Sequence, residues 1–424
     1  MTIADLDLEI QREPFARPFG FKGSAFHEKW NAVVRLRSEE GVEAFGVGGF
    51  APLWSDPDVF AAHTEAGGNV LMLAILERGM ALARECGAGH PMDILDAILP
   101  PVEEYARVVT RNAHLRRTFT LNALVALDSA LWMLYTRSEG VSSFDGLVPR
   151  TCRAHLTERR ERIAAVPAIG YTLPMESVRE LLDAGTFVLK IKVGHPGDDA
   201  EMLDKDRAWL TRLHELARRY ETPMTDCGSP VYYLDANGRY REKDGMRRLL
   251  DHAAEIDMLD RVILVEEPFD EAFDFDVSDL PARFAADESL HVPDDVAVRA
   301  QQGYGAMAIK PAGKTLSMGF RMIEATREAG AIPFVADNAC VPWLVDWNKV
   351  VAARLPAFPG VRAGMMETNG RQNYATWETL LTSVPHGGAS WLKPDSGAFV
   401  LDDEFYRRSA GMFADPTPYS DLFR

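Results

Sequence analysis

Residues 186–194 read Thr-Phe-Val-Leu-Lys-Ile-Lys-Val-Gly, and the fold turns on how this run is read. Its β-branched and aromatic content marks a strand. Side chains alternate along a strand, so Lys190 and Lys192 share one face and Ile191 takes the other. Alone, two lysines on one face describe an edge strand with a wet side. The neighbours change that reading. Seven further β-rich runs accompany it: 166–172 (VPAIGYT), 230–238 (PVYYLDANG), 261–269 (RVILVEEPF), 283–289 (RFAADES), 304–313 (YGAMAIKPAG), 331–338 (AIPFVADN) and 361–370 (VRAGMMETNG). Each but the last precedes a helix-like segment. Strands alternating with helices predict a parallel sheet, and eight units in this length predict a closed barrel. An open dinucleotide-binding sheet would need G-x-G-x-x-G after its first strand, which is missing. The expected fold class is α/β, a (β/α)7β-type TIM barrel over 160–384. Inside such a barrel Ile191 suits the helix layer, and both ammoniums point into the mouth.

Outward from the barrel, residues 1–150 read as an α+β cap. Strands are expected at 5–11 and 29–49, the latter turning at 38–41, with helices near 56–86, 91–112 and 116–138. In the last helix Leu121, Leu124, Val125, Leu127, Ala130, Leu131 and Leu134 recur at spacings of three and four, which marks one buried face. The turn-rich tail, 385–424, is expected to pack back on the cap. Two Gly- and aromatic-containing loops, 17–23 and 48–54, have the composition of mobile lids.

The chain has 424 residues, 47% of them hydrophobic and 26% charged, as in globular proteins. Its net charge, 46 − 63 = −17, argues against nucleic acid as a partner. Apolar stretches are broken by charge or Gly before reaching the ~18 residues of a membrane span, so no membrane partner is expected. The acidic start MTIADLDLEIQREP does not read as a signal peptide, which predicts a cytoplasmic protein. Cys86, Cys152, Cys227 and Cys340 lie far apart, and are expected as buried free thiols rather than a disulfide framework or zinc site.

Polar residues end nearly every barrel run: Lys190 and Lys192, Asp235, Glu266 and Glu267, Asp287 and Glu288, Lys310, Asp337 and Asn338, Glu367 and Asn369. Strand C-termini converge on one mouth, where such barrels place their active sites. Asp235, Glu266 and Asp287 end three successive strands ~5 Å apart, so three carboxylates could share one cation. Hard oxygen donors without Cys or His suit Mg²⁺. Singly, each acid has a structural reading: an Asx-turn in Asp235-Ala236-Asn237-Gly238, a strand end before Pro268, a helix cap at Asp287-Glu288-Ser289. Lys310 ends strand six, across the barrel from Lys192. Gly313-Lys314-Thr315 resembles the end of a phosphate-binding loop, but Ala308 stands where that motif needs Gly. The turn at 235–238 resembles a calcium loop whose Gly comes too early and whose last acid is Met246.

The series KIK, DANG, VEEP, ADES and AIKPAG resembles the enolase superfamily, most closely its muconate-lactonizing-enzyme and dipeptide-epimerase branch. The resemblance covers the whole chain, including the NALVALDSALW helix of the cap. It implies one Mg²⁺ per active site held by Asp235, Glu266 and Asp287, with Lys192 and Lys310 as acid/base lysines. Lys190 would steer the substrate carboxylate and ease deprotonation of Lys192. A small-molecule carboxylate is implied as substrate, met by Lys22, Asp337, Asn338, Glu367 and Asn369, with Glu267 and Glu288 behind the metal site; a homo-oligomer is also implied. Abstraction of an α-proton through an enediolate follows, with racemisation or epimerisation ahead of lyase chemistry (dehydration, cycloisomerisation, o-succinylbenzoate-synthase-like elimination). A non-catalytic binding barrel would lack one of these lysines or acids, and all are present. The chain departs from the pattern in four places. An insertion makes Asp226 (in TDCGSP) a rival first ligand. AGKTLS replaces a Gly-Gly stretch after Lys310. No histidine ends a barrel strand. Glu367-Thr368-Asn369 stands where dipeptide epimerases often carry Asp-x-Asp.

Overall fold

The computed structural model describes residues 2–21, 24–87 and 89–424. The cap opens with β1 (Ile3–Phe21) and β2 (Ser24–Ser38), a hairpin paired from Ile3↔Ser38 to Phe21↔Ser24, and β3 (Glu43–Gly49) completes its sheet. The hairpin is much longer than the expected strands. Residues 17–21 belong to it and are not a loop; Lys22 lies outside the described residues. The second expected lid is also ordered: Gly48 and Gly49 pair with Ala32 and Asn31, and Leu53 and Trp54 are buried in a helical turn, α1 (Pro52–Ser55).

Helices α2 (Pro57–Glu85), α3 (Pro91–Thr110), α4 (Arg117–Ala123) and α5 (Val125–Glu139) follow. Contrary to expectation, α2 is long and apolar enough to cross a membrane by length and composition. In the cap it packs against α1, α3 and α4, as core helices do. The sheet meets α5 at two glycines. A Cβ on Gly46 would stand 2.2 Å from the Ala126 carbonyl oxygen, and one on Gly48 2.5 Å from the Ala126 nitrogen. Only a missing side chain lets strand and helix backbones approach this closely.

A short α6 (Phe144–Leu147) leads to the barrel. Its wall consists of β4 (Arg162–Val166), β5 (Ala168–Ile169), β6 (Val188–Lys192), β7 (Val231–Asp235), β8 (Val262–Glu266), β9 (Phe284–Ala286), β10 (Tyr304–Ile309), β11 (Ile332–Val335) and β12 (Gly364–Glu367). Neighbours pair in parallel, in the order β4-β12-β11-β10-β9-β8-β7-β6-β5. The first and last members are one run interrupted at Pro167, which cannot donate to a ladder; through them the sheet returns onto itself. Alternation sorts the side chains into two cores. Ala164, Val166, Val188, Tyr233 and Leu264 pack inside the wall, while Ile163, Ala165, Leu189, Ile191 and Leu234 join the layer outside it. That layer holds α7 (Met175–Asp183), α8 (Asp199–Ala217), α9 (Lys243–Glu255), α10 (Pro293–Gln301), α11 (Leu316–Glu328) and α12 (Pro342–Ala352). One expectation fails here: residues 267–283, after β8, contain no helix.

The tail divides its contacts. β13 (Ala398–Val400) pairs antiparallel with β4 of the barrel, whereas Phe423 packs on Phe45 and Asp415 pairs with Arg137 in the cap. The cysteines are free, but only Cys152 and Cys340 are buried; Cys86 and Cys227 are exposed.

Candidate active site

Lys190 and Lys192 emerge from β6 into the mouth, as alternation requires. The Lys190 ammonium lies 2.8 Å from Asp235, 2.9 Å from Glu266 and 3.0 Å from Glu367. Burial alone would lower its pKa. The three carboxylates outweigh burial and raise it well above the ordinary lysine value. Lys192 donates to Asp235 Oδ2 at 2.5 Å and to Asn237 Oδ1 at 2.8 Å. Asp235 also makes the expected Asx-turn: Asn237 N donates to its Oδ1. The structural and chemical readings of this turn therefore hold together. Burial would raise the Asp235 pKa, but the two lysines bring it down to about 2.

Glu266 and Asp287 present the two oxygens that matter most for a cation. Glu266 Oε1 and Asp287 Oδ1 are buried and accept no hydrogen bond. Together with Glu288 they form a buried group whose oxygens lie within 4.8 Å of one another. Buried acceptors without donors are costly in a folded chain, and hard oxygens are what Mg²⁺ takes, so these residues fit that ion. Asp235 stands beside the group with its Oδ2 shared by the two lysines. Glu288 accepts from Asn237 Nδ2 at 2.9 Å. Burial, with Asp287 and Glu367 nearby, pushes Glu266 up to about 8. Asp287 is lowered despite its burial, because Lys310 and Lys314 face it. Asp226 is an exposed residue paired with Arg362, away from these carboxylates.

Lys310 reaches the mouth from the end of β10. It pairs with Asp287 at 2.7 Å and lies 4.3 Å from the centre of the Trp54 ring. Burial opposes its charge, and Asp287, Glu367 and Glu266 outweigh that opposition and raise its pKa. Three strands separate β10 from β6 in the ladder, so Lys310 and Lys192 sit halfway round the wall from each other.

Several expected residues also hold their neighbours in place, and Asp337 and Glu367 line the cleft as they do so. Glu367 takes Lys190, Asp337 N and Asn369 Nδ2. Asp337 takes Cys340 N and Asn369 N. Glu267 takes Asp287 N and Ser289 Oγ, fixing the loop that carries Asp287; burial, then Glu288, pushes it up to about 7. Asn338 and Asn369 line the cleft.

Three contributors were not legible as such. Asn237 was read only as a turn residue. Lys314 was weighed only as a phosphate-loop lysine; the tight turn in which its N donates to Lys310 O brings its ammonium onto Asp287 O (2.5 Å) and Leu290 O (2.8 Å). Lys29, in a strand of the cap, is buried and reaches Asn338 O at 2.5 Å; burial pushes its pKa down to about 8. Its position depends on the chain crossing from cap to barrel, which no local motif announces.

Cap and barrel face each other across a cleft. The barrel supplies its charged floor. The cap supplies an apolar wall of Phe19, Phe26, Leu53, Trp54 and Phe60, with Glu28 and Glu65 further along.

No protein-family model matches the chain. Among curated proteins, it is 26% identical over 299 residues to the L-Lys-D/L-Arg epimerase of Methylococcus capsulatus, a match that covers 70% of each chain. Among solved structures it is similar to a mandelate racemase/muconate lactonizing protein from Herpetosiphon aurantiacus (TM-score 0.62, 18% identity, 95% of this chain and 96% of the other). A dipeptide epimerase from Enterococcus faecalis, complexed with Mg and L-Leu-L-Tyr, aligns with TM-score 0.64 and 16% identity over 95% of this chain and 98% of that one. The fold is therefore the capped barrel that the sequence resemblance implied.

Proposed function

We propose that the chain is an Mg²⁺-dependent racemase or epimerase that moves the α-proton of a small carboxylate substrate. One observation carries this reading: Lys192 and Lys310 stand on opposite sides of one mouth, each against a different carboxylate. The likeness to the M. capsulatus epimerase supports it.

Asp235, Glu266 and Asp287 would hold the ion, which when bound stabilises the negative charge that grows on the substrate carboxylate as its α-proton leaves. The lysines do the rest. An ordinary lysine is protonated at neutral pH and cannot take a proton, so the base must be the lysine whose ammonium has first been relieved of its proton. Lys190, fixed by three carboxylates, keeps a positive charge beside Lys192, with which it shares Asp235 Oδ2. A planar intermediate between the two amines accepts a proton on either face; return from the far side inverts the carbon. Lys310, held charged by Asp287, is suited to give the returning proton.

Incubation with Mg²⁺ in D₂O against a panel of α-substituted carboxylates tests the reading. Deuterium at Cα with inversion is expected. Formation of a keto acid, alkene or lactone would instead identify a lyase, and no exchange with any carboxylate would remove proton transfer from consideration.

A further inference from the structure

The seam of the barrel leaves a second cavity. After β12 the chain adds no long helix to the outer layer, only α13 (Gly370–Asn373) and α14 (Trp377–Ser383), before the tail crosses. Residues of α7, α12 and the tail line a cavity of about 340 Å³ there, large enough for a small organic molecule. No residue lines both this cavity and the barrel-mouth cleft. Alternation at the end of β12 separates them: Glu367 and Asn369 line the cleft, and Thr368 between them lines the cavity.

Its walls are apolar, with Leu181, Val345, Trp377, Leu392 and Phe399. Set among them is an ion pair on one face of α12. Asp346 and Lys349 are 3% and 2% exposed, and Asp346 Oδ1 accepts from Lys349 Nζ at 2.8 Å. The centre of the Phe399 ring lies 4.1 Å from the ammonium. Among the described residues, neither side chain makes another hydrogen bond. An ammonium has three donors and a carboxylate two acceptor oxygens. Two N–H groups and one oxygen therefore remain, on side chains that line the cavity. Burial raises the Asp346 carboxyl and lowers the Lys349 ammonium, and their mutual attraction only partly offsets either shift. Burying such a pair in place of two apolar side chains seldom stabilises a fold. The cavity's other charged residues, Arg17, Glu180, Arg371 and Lys393, are exposed.

We propose that this cavity binds a free apolar α-amino acid as its zwitterion. The ligand's ammonium donates to the open oxygen of Asp346, its carboxylate accepts from the open N–H groups of Lys349, and its side chain lies against the apolar walls. Two adjacent buried charges of opposite sign call for both signs in the ligand, and a zwitterion brings them without net charge. The site is separate from the cleft of the proposed reaction and does not depend on it.

Calorimetric titration of the full chain, without added Mg²⁺, compares phenylalanine with 3-phenylpropanoate, which lacks the ammonium, and 2-phenylethylamine, which lacks the carboxylate. Phenylalanine should bind at least tenfold more tightly than either. The double variant Asp346→Leu/Lys349→Met replaces the pair with apolar side chains, a change that folds tolerate. It should melt no lower than the native chain and lose phenylalanine binding at least tenfold. Leu181→Trp, which fills the cavity and leaves both charges in place, should lose it as well. A single-charge compound binding as tightly as phenylalanine, no measurable binding of phenylalanine, or undiminished binding in either variant would overturn the proposal; the last would place the amino acid in the barrel mouth.

Discussion

Trp54 covers Lys310: the centre of its ring lies 4.3 Å from the ammonium, and 5.6 Å from that of Lys314. A residue of the cap thus shields a lysine of the barrel from water and offers its π-face to the charged form. Trp54→Ala should cut kcat at least tenfold, and Trp54→Phe, which keeps a ring, should retain more. Steady-state rates on one substrate check this; equal losses in the two variants would reduce Trp54 to a filler of space.

The opposed lysines separate inversion from exchange. Lys192→Ala and Lys310→Ala should each abolish conversion of one enantiomer into the other. Each should still allow slow deuterium incorporation from the single enantiomer whose α-proton faces the surviving lysine. NMR on each pure enantiomer in D₂O reads both quantities, and full racemisation by either variant would refute the assigned role.

The ion should be lost with the acids that face it. Asp235→Asn, Glu266→Gln and Asp287→Asn should each weaken Mg²⁺ binding tenfold or more in a calorimetric titration. Glu288→Gln should do less if Asp235 is the third ligand, although Glu288 shares the buried oxygen group with Glu266 and Asp287. A larger loss in Glu288→Gln than in Asp235→Asn would exchange their places.

Asp128 joins cap to barrel. On α5, it accepts from Leu316 N, Ser317 N and Ser317 Oγ, at the first turn of α11. Burial raises its carboxyl from 3.8 to about 6, so the folded state binds its proton more tightly than the unfolded chain. That contribution is complete below about pH 4 and is lost as the pH rises through 6; a shift of this size is worth roughly 3 kcal/mol. Thermal melts from pH 4 to 7 should show the native chain losing ground to Asp128→Asn as the pH rises. Asp128→Ala, which strands two backbone N–H groups, should cost about 1–3 kcal/mol.

The barrel and its ring of strand-end residues were legible because both rest on local rules: period-two alternation in Lys190-Ile191-Lys192, and one polar exit per strand. At 48–54 strand and helical turn stand where a lid was expected, for a physical reason. Glycine and aromatic content describes a close backbone approach as well as it describes mobility, and at Gly46 and Gly48 the α5 backbone supplies that approach. Glu367, read as meeting substrate, lines the cleft and also takes Lys190, Asp337 N and Asn369 Nδ2, partners that no local pattern announces. Lys29 was missed because its partner, the Asn338 carbonyl, is over three hundred residues away in the chain.

The hairpin that opens the chain is closed by its far end. Phe15 bridges to Tyr374, Ala375 N donates to Pro14 O, and Thr376 Oγ1 donates to Glu13. During synthesis the hairpin must therefore leave the ribosome with that flank unsealed, and wait for residues 374–376 before its last bonds can form. A nascent chain halted before residue 370 would expose this margin to proteases and to other nascent chains, which makes the interval of translation itself the vulnerable stage in this molecule's life.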